Sequence, residues 1–516
     1  MRLTRALAVL AAVMFSLASQ AQPTRPNIVY VLADDMGYGD VSCLNAKSKV
    51  KTPNLDRLAS QGMTFTEAHS ASAVCTPTRY GILTGRYPWR SHLKNGVLGG
   101  FSPHLIEPGR LTVAGFLKQN GYQTAAIGKW HLGMDWSATK KGPAGNPVTE
   151  TVDYSKPITN GPTSVGFDYY YGIAASLDMP PYIWIENDRT IGLPTAKKKW
   201  IREGPAHPDF EAVDTLPSIT AKAVDYIKSF AVGKDQGAGA APNAGSLVGR
   251  TGPFFLYLPL NAPHTPILPS PEFKGKSGVS DYLDFVMQTD DTVGKVLAAI
   301  DAAGLADYTL VIFTADNGCS PAANIKQLND AGHDPSAGRR GAKADIFDGG
   351  HRIPFLARWP GKVKPASRCD DVICLNDLFA TAGEILGAKI PETAAEDSIS
   401  FLSDLLGTAK APVRQAIIHA SINGSLAIRQ GKWKLELCAG SGGWSAPHTP
   451  ADLKGLVPTQ LYDVVADPAE TKNVQAENTE VVERLTALLQ SYLDRGRSTS
   501  GADQKNDTPT KIRLGN

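Results

Sequence analysis

Cysteine is scarce in this chain. Six residues in 516 (Cys43, Cys75, Cys319, Cys369, Cys374 and Cys438) form no Cys-x-x-Cys pair and no His-Cys cluster, so the sequence spells no structural zinc motif. Charge of one sign is missing too. Lys and Arg number 52 against 50 Asp and Glu, and Arg2 and Arg5 carry the surplus of two. Bulk charge therefore gives a nucleic-acid partner no support. No apolar run after the first 21 residues is long enough to span a membrane, and no internal repeat is evident. What remains is an ordinary globular composition, 42% hydrophobic and 20% charged, in a chain long enough for one large domain and a smaller one.

The N-terminus is a separate object. Arg2 and Arg5 precede an apolar run, Ala6 to Leu17, broken only by Ser16, and Ser19-Gln20-Ala21 offers small residues for cleavage. A signal peptide over residues 1–21 and export, to the periplasm or outside, are expected. An exported chain could oxidise its cysteines. Cys369 and Cys374 are close enough to pair, though spacing alone does not establish a bridge.

Short β-branched runs recur, each ending in polar residues. Asn27–Ala33 runs into Asp34-Asp35, Gln123–Ile127 into Gly128-Lys129-Trp130-His131, Phe254–Leu260 into Asn261-Ala-Pro-His264, and Tyr308–Ala315 into Asp316-Asn317. Helical patterns lie between them, at Asn54–Gln61, Leu111–Gln119 and Ser280–Ala303. Alternation of this kind predicts an α/β fold with a large, mixed, mostly parallel sheet flanked by helices. Ligands in such sheets bind beyond the carboxyl ends of the strands, so four polar strand ends mark a site. Residues 136–167 read as loops over it, and 233–252, rich in Gly and Ala, as a flexible surface loop. From about 408 three short antiparallel strands are expected at Ile417–Ser421, Ser425–Arg429 and Trp433–Leu437. A helix over Thr479–Arg495 and a mobile polar tail complete a small α+β C-terminal subdomain, 408–516.

The densest segment is Cys75-Thr-Pro77-Thr-Arg79, continuing to Leu83-Thr84-Gly85. Pro77 suits a first helical turn, which puts Cys75 at a helix N-terminus where backbone N–H groups favour an anion. Arg79, one turn on, can face the same pocket with a fork suited to a tetrahedral oxyanion. Cys-x-Pro-x-Arg followed by Leu-Thr-Gly resembles the signature of the sulfatases, type I, formylglycine-dependent arylsulfatase-like enzymes of the alkaline phosphatase superfamily. The resemblance implies an alkaline-phosphatase-like catalytic domain over 22–407, and oxidation of Cys75 to Cα-formylglycine by a maturation enzyme. With Cys75 withheld, five cysteines remain and at least one more is unpaired.

Asp34, Asp35, Asp316 and Asn317 supply hard oxygen ligands that suit Ca²⁺ or Mg²⁺. By the resemblance the ion is a single Ca²⁺, and the group at Cys75 completes its shell. The resemblance also gives Lys129 and Lys343 to the sulfate, His131 the part of a base, and His264 a contact to sulfate and leaving-group oxygen. A hydrated aldehyde offers one hydroxyl to attack sulfur, aided by the metal and a carboxylate such as Asp316. His264 or Lys343 protonates the departing alcohol. The second hydroxyl, deprotonated by His131, expels sulfate. One departure stands out: Asp348-Gly-Gly-His351-Arg352 replaces the usual Glu-Gly-Gly, keeping the carboxylate but shortening it.

A phosphatase or phosphodiesterase of the same superfamily is the nearest rival, but it would want Ser or Thr at position 75 and Asp-His at Asp316-Asn317. A non-catalytic binder of sulfated glycans is the reading of another class, should Cys75 stay unmodified. The expected substrate is a sulfated carbohydrate, 6-sulfated galactose or N-acetylgalactosamine, with a general aryl sulfate as the alternative. Asp178, Tyr182, Trp184 and Asn187 are candidates to read the sugar, and Lys197–Lys199 with Arg202 to attract a polyanionic glycan; core packing and a solvated charge run are the competing explanations.

Overall fold

The structure, a computed structural model, describes residues 25–231 and 250–512. The expected signal peptide and most of the 233–252 loop lie outside the described residues. Ten strands form one sheet, in the order Ser367–Cys369, Met63–Phe65, Phe355–Arg358, Thr309–Ala315, Asn27–Ala33, Phe254–Pro259, Gln123–Lys129, Tyr169–Ile173, Ile185–Glu186, Arg189–Thr190. The five central strands, Thr309–Ala315 through Tyr169–Ile173, run parallel. Antiparallel strands flank them on both sides.

Every residue of Asn27–Ala33, Phe254–Pro259 and Thr309–Ala315 is buried, which is why these strands read as unbroken apolar runs. Helices cover the faces. Asp281–Ala302, capped by the Ser280 hydroxyl accepting from the Leu283 N–H, packs on Thr215–Lys228 and on Pro53–Ser60. Among the described residues no helix is long and apolar enough to cross a membrane. Because the parallel strands share one direction, Asp34-Asp35, Asp316-Asn317, Asn261–His264 and Lys129–His131 all emerge at the same sheet edge.

The C-terminal sheet has four strands, one more than expected: Ile417–Ala420, Leu426–Gln430, Trp433–Glu436 and Gln460–Asp463. The last is four residues in a polar stretch and carries no alternation of its own. Helix Thr479–Asp494 lays Leu485, Leu489 and Leu493 on this sheet, and the same core takes in Ala71, Tyr87 and Trp89. The polar tail, expected to be mobile, is instead bonded in place. Asp507 accepts from Arg86 at 2.7 Å and Asn506 from Arg90 at 2.9 Å. Both guanidiniums are buried and also pair with Glu396 and Asp397, and the tail adds to these partners.

Where this sheet meets the catalytic part, His69, His351 and His419 cluster, all buried. The His351 and His419 rings stack at 3.6 Å, and His69 Nδ1 lies 3.1 Å from His351 Nδ1. Burial, largest among the causes, holds all three below the ordinary histidine value. They are neutral in the fold but take up protons when unfolded below pH about 6.5, so stability is lost as pH falls through that value. Each contributes a slope approaching about 1.4 kcal/mol per pH unit. H419Q is expected to flatten the acid limb of urea-unfolding free energy against pH by about one such increment.

Candidate active site

Helix Cys75–Thr84 begins at the modification candidate and ends at Gly85, whose φ of 66° is the left-handed stop common after helices. All ten of its residues are buried, Arg79 and three threonines among them, so it runs through the core and not along the surface. The N-cap Val74 offers no side-chain acceptor, which leaves the first N–H groups for the site. Burial pushes the Cys75 thiol up against the opposing pull of Lys129 and Lys343. That is the opposite of what a thiolate nucleophile needs.

Carboxylates and cations interleave around it. Lys129 Nζ lies 2.5 Å from Asp34 Oδ2, and Lys343 Nζ 2.7 Å from Asp35 Oδ1. His264 Nε2 is 3.6 Å from Asp35 Oδ2, and Asn317 donates its Nδ2–H to Asp35 Oδ1 at 2.8 Å. Asp35 itself has φ 64° and His131 φ 57°, strained values for residues with a Cβ, held here by the surrounding sheet edge. Gly128 makes that edge possible: a Cβ there would sit 1.9 Å from the Pro259 carbonyl oxygen. The loop carrying Lys343 is tied beside Cys75, because Ala344 N–H donates to the Ala73 carbonyl at 2.7 Å.

Arg79 is placed differently from its expected role. Its Nε and Nη2 both donate to Asp316 Oδ2, at 3.1 and 2.8 Å, and Nη1 donates to the Lys129 carbonyl at 2.9 Å. The fork expected on a sulfate thus grips two other site elements and orients them. Burial, then Asp34, pushes the Asp316 carboxyl up to about 7, with Arg79 opposing. Asp34 goes the other way: Lys129, His264 and Arg79 overcome burial and hold it well below the usual carboxylate range.

The two site histidines are distinguishable. His131 donates Nε2–H to the Leu98 carbonyl at 2.7 Å, which assigns the lone pair to Nδ1, buried and without a partner. Burial, then Lys129 and Arg79, keeps it neutral. It has the form of a base. His264 donates Nδ1–H to the Thr265 carbonyl at 2.6 Å, leaving Nε2 towards Asp35. Burial, then Lys343, lowers His264, whereas Asp35 raises Lys343 above its ordinary value despite burial. The lysine is therefore the weaker acid of the two.

Two oxygens test whether a hard cation fits here. Asp34 Oδ1 and Asn317 Oδ1 are buried and have no hydrogen-bond partner, beside the carboxylates of Asp35 and Asp316. Unpaired buried oxygens on carboxylate and amide groups are what Ca²⁺ or Mg²⁺ takes up. The four residues fit.

The candidate sugar readers divide. Tyr182 is buried against Trp200 and Phe210, and Trp184 stacks on Tyr171 at 4.9 Å. Asn187 accepts from the Tyr170 N–H. Packing thus engages the two aromatic rings, and Asn187 holds a backbone N–H. Asp178 pairs with Arg202 at 2.8 Å yet keeps Oδ1 buried and unpartnered. Asn261, which opens a strand end the sequence had marked, and Ser176, which it had not, also leave buried polar atoms unpartnered, beyond Phe254–Pro259 and Tyr169–Ile173. Asp348, the departure from Glu, faces Lys434 of the C-terminal sheet at 2.9 Å, away from the catalytic cluster. The shortened carboxylate is a junction contact.

Comparison with known proteins follows this geometry. A sulfatase family model matches residues 26–388. The chain is 35% identical over 503 residues to an N-acetylgalactosamine-6-O-sulfatase of Bacteroides thetaiotaomicron, covering 91% of this chain and 94% of that one. It is 31% identical to human arylsulfatase A, covering 91% and 88%. A solved Bacteroides thetaiotaomicron structure, described under the metabolism of multiple glycosaminoglycans, superposes with a TM-score of 0.76 at 34% identity, over 91% of this chain and 99% of that one.

Proposed function

The chain belongs to the sulfatase family and hydrolyses sulfate esters, and from that premise we propose that it removes a 6-O-sulfate from galactose or N-acetylgalactosamine in a carbohydrate. The observation that carries the reading is the convergence of Lys129, Lys343 and His264 with Asp34, Asp35, Asp316 and Asn317 around the helix start at Cys75. The substrate class rests on the N-acetylgalactosamine-6-O-sulfatase relative. The reading includes export by the first 21 residues and a catalytic unit ending near 407.

Within it, Cys75 is the residue matured to formylglycine, and Asp34, Asp35, Asp316 and Asn317 are the protein ligands of one Ca²⁺. Together the aldehyde hydrate and the cation supply a nucleophilic hydroxyl and neutralise charge on the sulfuryl oxygens. The chain's own residues do the rest. Lys129 and Lys343 hold the sulfate oxygens, and the N-terminal N–H groups of helix Cys75–Thr84 add to that field. His264, the better acid of the pair, gives a proton from Nε2 to the departing sugar oxygen, acting in the imidazolium form that Asp35 beside it favours. His131 takes a proton at its free Nδ1 when sulfate leaves. Arg79 keeps Asp316 and the Lys129 backbone in register.

Sulfate release from a panel of defined mono- and disaccharides tests the substrate. Turnover is expected on 6-sulfated galactose or N-acetylgalactosamine, in preference to 4-sulfated sugars; turnover of aryl sulfates alone would overturn the glycan reading. Chelation tests the metal. Exhaustive dialysis against EGTA is expected to lower kcat by about 100-fold or more, with recovery on adding Ca²⁺. The binding-protein reading would be favoured by an unmodified thiol at Cys75 in peptide mass spectra of chain made in its native host.

A further inference from the structure

At the far edge of the large sheet, a second group of ligating side chains comes together away from Cys75. Cys369, the last residue of the edge strand Ser367–Cys369, Asp371 just after it, and Asp404 of the short helix Leu402–Leu405 bring a sulfur and two carboxylate oxygens within 4.8 Å of one another. Asp404 is 4% exposed, and neither of its oxygens has a hydrogen-bond partner. No ion pair compensates it among the described residues. The nearest guanidinium in sequence, Arg368, is held by Asp370 at 2.7 Å. Asp370 also accepts from the Thr66 hydroxyl and so stands apart from the trio.

Two carboxylates facing each other, one of them buried and unsatisfied, need a positive charge between them. Either a shared proton or a cation can supply it. With the Cys369 sulfur beside them the two carboxylates make a three-ligand set for a borderline divalent ion, whose charge would offset the burial and the two aspartates that push the thiol up to about 11. Asp371 and Cys369 are only partly buried, so the ion has a route in, and a water can fill a fourth position. Cys374, the alternative disulfide partner, is buried in the core beneath the C-terminal sheet, and both cysteines are free.

We propose that Cys369, Asp371 and Asp404 form a structural site for Zn²⁺ or a similar divalent ion, distinct from the catalytic cation. On binding, the Cys369 thiol gives its proton to solvent and coordinates as thiolate. The ion then clamps the edge strand to the Leu402–Leu405 helix, tying a strand whose outer side has no neighbour in the sheet.

Cobalt titration of the purified full chain tests this, because thiolate-to-Co²⁺ charge transfer reports cysteine ligation directly. The expected result is a near-ultraviolet band saturating at one ion per chain, lost in C369S and weakened by about tenfold or more in affinity in D404N. Zn²⁺ should displace it and raise the Tm of the wild type but not of C369S. Sulfate-ester turnover, followed in the same samples, should stay within about twofold in both variants, since neither touches the catalytic cluster. A band retained in C369S, or no band with no Zn²⁺-dependent Tm shift in the wild type, would overturn the site and assign the carboxyl pair a shared proton. The band is independent of sulfatase turnover, so failure here and failure of the proposed substrate are separate results.

Discussion

Replacing Cys75 with alanine is expected to reduce sulfate release by about 10⁴-fold or more while the protein stays folded. The loss is that large because no neighbour can take over. Burial keeps the thiol itself protonated, and Lys129 and Lys343 are engaged with Asp34 and Asp35 as positive charges. His131 and His264 are placed to move protons and not to attack sulfur. The fold should tolerate the change, since removing one buried sulfur costs about 1 kcal/mol. Inorganic sulfate should therefore still bind, as isothermal titration can check. C75S makes the sharper experiment. A serine hydroxyl can accept the sulfuryl group but has no second hydroxyl on the same carbon to expel it. The expected outcome is a burst of one alcohol per chain and then arrest, with a sulfated peptide in the mass spectrum. Continued turnover by C75S would sink the formylglycine mechanism.

Arg79 to leucine should show the next largest effect, and on two readouts at once. Arg79 and Asp316 are both fully buried, joined at 2.8 Å. In the metal-free chain, removing the guanidinium leaves a carboxylate uncompensated in the core, which costs about 3–5 kcal/mol of stability. It also frees the Lys129 carbonyl and lets Asp316 move, so kcat should fall by about 100-fold or more. R79K keeps a charge but cannot reach Asp316 and the Lys129 carbonyl together, so it should recover part of the stability and little of the rate. Urea unfolding of R79L, D316N and the double variant gives a cycle whose coupling reports the pair. Stability within about 0.5 kcal/mol of wild type in R79L would show that the pair is not what holds this edge together.

Much of this site was legible in the chain. The burial of Asn27–Ala33, Phe254–Pro259 and Thr309–Ala315 on both faces produces continuous apolar runs, and these runs announce parallel strands. Polar residues directly after such runs must emerge at one edge, because parallel strands share a direction. Helix boundaries fell within one or two residues, as at Asp281–Ala302, where Ser280 caps the start. Pro77 located the helix whose N-terminus carries Cys75. The strand Gln460–Asp463 was not legible, since its pairing comes from Trp433–Glu436 and not from its own pattern.

The family, the parallel sheet and which strand ends meet in one cluster could be read from the chain alone, because each of these rests on local periodicity or on residues a few positions apart. Only the tertiary structure decided partners. It set the Arg79 guanidinium on Asp316, packed Tyr182 into the core with half-buried Trp184 against Tyr171, and docked the polar tail on Arg86 and Arg90. It also drew His69, His351 and His419 together from three distant segments, and Cys369 with Asp404 from two. Burial strips water from such groups, and each must then find its charge or hydrogen bond in whatever the fold brings within reach. That choice depends on positions hundreds of residues apart, which no local pattern records.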